Sequence, residues 1–151
     1  MPQHAETRVL PYTQAQMFDL VADIESYPKF LPWCTGARIR ARPSDGQLLA
    51  DLDIGYKVFQ ETFTSKVVLD RPNRIEVIQS SGPFRNLDNR WRFHPLGRTA
   101  CEVEFTIDFA FDSALLNRMV GAVFERAFQK MVLSFEQRAA RIYVVPDQRT
   151  A

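Results

Sequence analysis

Few side chains in this sequence are of types that do chemistry, and their spacing limits what they could do. There are two histidines, His4 near the start and His94 beside Pro95, and two cysteines, Cys34 and Cys101. Neither histidine has a companion at ligand spacing, and two isolated cysteines make no zinc site. No Gly-rich phosphate loop and no nucleophile elbow occur. Glu61 is the one acid that strand alternation sets on an apolar face, with Ser65 beside it on that face. Buried carboxylates hold their protons to higher pH, which general acids exploit. A place near an opening, or beside a basic partner, would give Glu61 no such task. One carboxylate is not a constellation, so no catalytic residue, metal or catalytic cofactor is expected.

The conspicuous side chains are aromatic. The chain has 12 Phe, and Phe brings large apolar area with no polar handle. Alternation places Phe59, Phe63, Trp91, Phe105 and Phe109 on apolar strand faces, and helical spacing places Val120, Phe124 and Phe128 on one stripe. These residues should converge between sheet and helix. Simple core packing is the plain reading of each one. Together they mark a candidate apolar ligand site. A second cluster lies in IESYPKFLPWCTGARI, residues 24–39. Pro28 and Pro32 forbid one long helix there. Tyr27, Phe30, Leu31 and Trp33 carry more apolar surface than a linker would. The segment is either pressed into the core or held over an opening.

The elements that must position these residues follow from periodicity. Residues 4–10 read as a strand. Thr13 is an N-cap for a helix over 14–22, with Met17, Phe18 and Val21 at helical spacing. Six strands follow the proline-rich segment. Ala37, Ile39 and Ala41 alternate with Arg38, Arg40 and Arg42, and Asp45-Gly46 signals a hairpin. The return strand sets Leu48, Ala50, Leu52, Ile54 and Tyr56 on one face and Asp51 and Asp53 on the other. Arginines should therefore meet aspartates on the solvent face. A basic binding patch is the alternative use of that arginine row. Strands over 57–69, 74–79 and 84–94 come next. CEVEFTIDFAF is the clearest strand, and its Glu102 and Glu104 should face Arg90 and Arg92 across a hairpin. One long helix over 114–141 ends the pattern, with an apolar stripe from Leu115, Leu116 and Met119 to Phe135. Residues 145–151 read as a frayed tail. Short turns make the sheet antiparallel, and its apolar face needs the long helix as cover. The fold class is α+β, a curved antiparallel sheet wrapped around a long C-terminal helix, in one domain over 1–144.

Composition sets outer limits. A chain of 151 residues buries enough surface to fold without staples. With 19 basic and 18 acidic residues, net charge +1, there is no bulk electrostatic case for DNA or an anionic surface. No signal peptide or membrane-spanning run is visible, so free thiols and an intracellular, cytoplasmic setting are expected.

Three stretches carry a resemblance: YPKFLPWC at 27–34 after MFDLVADIESY, GPFRNLDNRWRF at 82–93, and FTIDFAF leading into the last helix. The sequence resembles the START-like helix-grip superfamily, and within it the coenzyme Q-binding START-type family with its bacterial relatives, the ribosome-association toxins. The likeness spans about residues 3–144. It implies a ligand-binding module that holds ubiquinone or another hydrophobic small molecule in support of respiratory electron transport. The toxin branch implies binding to the large ribosomal subunit. The superfamily also contains polyketide cyclase and aromatase enzymes, which an ordered cavity holding Glu61 and a second titratable group would favour. On the helix-grip reading, Tyr27, Phe30, Leu31 and Trp33 form an apolar lip at the cavity mouth, stiffened by Pro28 and Pro32. Trp33 there could touch a membrane surface transiently, peripheral to the inner membrane.

Overall fold

Strands with one apolar face need a common cover, and the computed structural model shows how the chain supplies it. The structure describes residues 3–143; the tail expected at 145–151 lies outside them. Seven strands form one sheet: β1 (Gln3–Leu10), β2 (Cys34–Ser44), β3 (Gln47–Tyr56), β4 (Phe59–Asp70), β5 (Arg74–Ser81), β6 (Phe84–Leu96) and β7 (Ala100–Phe111). Their order is β1-β7-β6-β5-β4-β3-β2, and every neighbouring pair is antiparallel. Short turns dictate this, since a parallel pair would need a crossover. Between β1 and β2 the chain crosses from one sheet edge to the other. It does so through α1 (Gln14–Ala22) and a 3₁₀ turn, Ile24–Lys29. Thr13 caps α1 as its sequence suggests: its hydroxyl accepts from Gln16 N, and the Gln16 side chain accepts from Thr13 N. Gly46, at φ 74, makes the Asp45-Gly46 turn that pairs Ser44 with Gln47.

Three expectations need correction. The single helix over 114–141 is two helices, α2 (Ala114–Gln129) and α3 (Met131–Ile142), broken at Lys130 with φ −99 and ψ 8. The Lys130 N–H donates to Ala127 O at 3.2 Å, one residue short of the α-helical partner. The apolar stripe runs across this break, which is why periodicity does not reveal it. Leu115 and Met119, assigned to that stripe, are 61% and 58% exposed. The register sets Arg92 opposite Glu104 and Arg90 opposite Thr106. Arg90 instead makes two bonds to Asp88, at 3.0 and 3.1 Å, and His94 takes Glu104 at 2.8 Å.

The β2–β3 arginine–aspartate pairing does form. Arg38 reaches Asp53 at 2.9 Å, and Arg40 reaches Asp51 at 3.4 Å. Asp51 is only 6% exposed, and the Thr64 hydroxyl donates to it at 2.6 Å. Both cysteines are free thiols, and both are buried. The core lies between the sheet and α1, α2 and α3. Trp91, Phe105, Phe109, Phe111, Phe124 and Phe135 are among its fully buried side chains.

Candidate functional site

The aromatic residues pack as two groups with a gap between them. At one end Phe59 meets Phe111 and Phe124, Phe84 stacks on Phe111 at 4.8 Å, and Phe109 sets its edge against Phe128 at 4.8 Å. At the other end Trp91 packs on Phe105 at 4.7 Å and on Phe135 at 5.0 Å. Tyr27 and Phe30 add their edges to Phe135 at 5.3 and 5.0 Å. The gap is an apolar cavity of about 40 Å³. Phe63, Trp91, Phe128 and Phe135 line it, together with Tyr27 and Trp33 from the proline-rich segment. Leu52, Val77, Leu87, Ile107, Ile24 and Met131 complete the apolar wall.

The sequence-derived site residues therefore divide. Tyr27, Trp33, Phe63, Trp91 and Phe128 face the cavity. Phe105, Phe109, Val120 and Phe124 are buried behind it, and Phe59 is half-buried against α2. Leu31 is 1% exposed and belongs to the core, not to a lip. Phe30 lies on the outer side under the Arg138 guanidinium, 5.4 Å from its ring. The segment is thus partly pressed in and partly set over an opening. It is held firmly: Leu31 N donates to Tyr27 O at 2.9 Å, Cys34 N to Leu31 O at 3.0 Å, and Gly55 N to Trp33 O at 3.0 Å. The Tyr27 hydroxyl donates to Val21 O at 2.5 Å, and burial pushes its pKa up.

Two polar side chains also line the cavity, and neither was singled out as a site residue from sequence. Ser65 is 0% exposed, and its hydroxyl has only a long contact to Ala50 O at 3.4 Å. Asn89 is 7% exposed and hydrogen-bonded through both its amide nitrogen and its amide oxygen. It donates to Thr106 O at 3.0 Å and accepts from the Trp91 indole at 3.0 Å, which fixes the ring. Period-two alternation was the available signal, since Asn89 shares a face with Leu87 and Trp91. Glu61 is exposed, beyond the last β4 residue paired to β5, Thr64. It does not line the cavity. Among the described residues, no group of three or more His, Cys, Asp or Glu is placed to hold a metal.

Outside the cavity, a groove of about 280 Å³ runs past Pro32, Trp33, Tyr56, Val123 and Lys130. Trp33 lines both spaces, with its ring set edge-on to Phe128 at 5.4 Å. The indole is the partition between them.

This geometry has relatives. Ribosome association toxin RatA of Escherichia coli (strain K12) is 39% identical over 143 residues, covering 95% of this chain and 90% of the toxin. The mitochondrial coenzyme Q-binding protein COQ10 homolog B of Xenopus laevis is 30% identical over 145 residues, covering 93% of this chain and 59% of that protein. A START superfamily protein from Mycobacterium smegmatis superposes with a TM-score of 0.79 at 21% identity, covering 93% of this chain and 98% of that one. That likeness shows the helix-grip fold. The family described as polyketide cyclase / dehydrase and lipid transport matches residues 10–136. A sheet closed by α2 and α3 over an apolar cavity agrees with that match, and the chain belongs to this polyketide cyclase / dehydrase and lipid transport family.

Proposed function

We propose that the protein binds ubiquinone or a similar polyprenyl lipid without transforming it, as a carrier or chaperone in respiratory electron transport. The observation that carries this reading is the cavity lining: apolar and aromatic walls with one under-used hydroxyl, Ser65. A quinone ring offers flat apolar faces and carbonyl acceptors, and the Ser65 O–H can donate to one. The lining holds no carboxylate, imidazole or amine, so it offers no general acid or base beyond the engaged Tyr27 hydroxyl. That supports binding over cyclase-type catalysis. The cavity at about 40 Å³ is far below the few hundred Å³ of a typical ligand pocket. Entry therefore requires the Trp33 indole to swing out and join the cavity to the outer groove. Apolar burial at roughly 25 cal/mol per Å² supplies the drive.

Titration with a short-chain ubiquinone, read by tryptophan fluorescence, tests this. Saturable quenching in the parent that weakens in Ser65→Val is the expected result. Leu31→Ser is a poor probe, because Leu31 is core. Linear, unsaturable quenching in every variant would remove the reading. A second reading rests on the 39% identity to RatA, whose name describes ribosome association. It predicts co-sedimentation with large ribosomal subunits.

A further inference from the structure

The groove outside Trp33 continues into a second hollow of about 260 Å³, and Ser134 lines both. The first half is mainly apolar, with Trp33, Tyr56 and Val123 beside Lys130. The second is basic, with Lys29, Arg138 and Arg141 around Phe30. No Asp or Glu lines either half. For a chain of net charge +1, four cations without a carboxylate are a marked local asymmetry. Among the described residues, none of the four takes part in an ion pair. Among the described residues, the buried Arg138 Nε has no hydrogen-bond partner. Next to the apolar half, the β3–β4 hairpin tip projects Val58, 94% exposed, beside Tyr56 at 40%.

We propose that this groove and hairpin tip dock on a membrane surface bearing anionic phospholipid. Phosphates lie against Lys29, Lys130, Arg138 and Arg141, and Val58, Tyr56 and the edge of Trp33 enter the headgroup–acyl boundary. Cations at such a surface and aromatic residues at its boundary are both favoured. An RNA partner fits less well. Single-stranded RNA uses open aromatic faces for stacking, but Arg138 covers the Phe30 ring and Trp33 packs edge-on against Phe128. An aliphatic tip such as Val58 gains nothing from phosphates. The contact would put the Trp33 partition where a membrane lipid enters or leaves, yet it does not depend on the quinone reading.

Flotation of the full chain with quinone-free vesicles tests it. One set is phosphatidylcholine alone, the other contains about 30% phosphatidylglycerol, a fraction chosen to give a strongly anionic surface. Binding to the anionic set only, falling at high salt, is expected. The double variant Lys29→Gln/Arg141→Gln should bind on the order of tenfold more weakly, and Val58→Asp should also bind more weakly. Arg42→Gln/Arg98→Gln removes the same charge from exposed sites elsewhere and should bind as the parent does. All five positions are exposed, and thermal unfolding checks that each variant is folded. Equal binding to both vesicle sets, no binding to either, or equal loss in the two double variants would overturn the proposal. So would vesicle-independent binding to ribosomal subunits that Lys29→Gln/Arg141→Gln abolishes.

Discussion

Phe135 is 0% exposed and packs in T-shaped contact with the rings of Tyr27, Phe30 and Trp91 beside the cavity. Phe135→Ala should cost about 3–5 kcal/mol in urea unfolding. Burial pushes the Cys34 and Cys101 thiols up to about 11 each. Neither should react with a disulfide reagent at pH 8 until the protein unfolds, because the thiolate is the reactive form. Asp53 is held below the usual carboxylate range, first by its hydrogen bonds from Arg38 and then by that from Thr62. A lowered folded-state value stabilises the fold above the unfolded value of roughly 3.9 and is lost as pH falls through the lowered one. Parent and Arg38→Gln should therefore differ in urea midpoint at pH 6 and converge near pH 2. At this scale, the sequence reveals faces but not depths. Alternation correctly sets Phe63 and Trp91 inward. It cannot tell that Phe105 is sealed behind Trp91, or that Glu61 lies past the end of β5. Those depend on which neighbour covers a face.

Helices and strands were easier to read because each repeats its own signal. Seven strands, α1 and the Asp45-Gly46 turn all follow from period and turn chemistry. The α1 capping box should be worth about 1 kcal/mol, read as the loss in Thr13→Ala. The break at Lys130 was not legible. No proline or glycine marks it, and the buried stripe Phe124, Phe128, Val132, Phe135 keeps helical spacing through it. The physical reason is the shape of the partner: two short axes follow a curved sheet better than one rod. The proline-rich segment posed a choice between core and opening, and it does both. Its buried residues Ile24, Tyr27, Leu31 and Cys34 recur every three or four positions, a spacing that begins in the 3₁₀ turn, while the helix-breaking Pro28 and Pro32 fall on the exposed side and mask it in the sequence.

For the whole molecule, the architecture sets a small apolar space behind one indole, with a groove outside that indole which is apolar at one end and basic at the other. The grip fold, antiparallel order and family membership were all legible from pattern and resemblance. The size of the cavity was not, because volume is what remains after every side chain has packed. A space of about 40 Å³ means that ligand binding must open the molecule. We propose that it opens for a quinone-like lipid. Native mass spectrometry of protein purified from its own host, followed by organic extraction and reconstitution with a short-chain ubiquinone, decides whether it does. A ubiquinone or similar polyprenyl lipid at one per chain, retained by the parent and lost from Trp33→Ala, is the expected result. An empty protein that also takes up no quinone on reconstitution would contradict it.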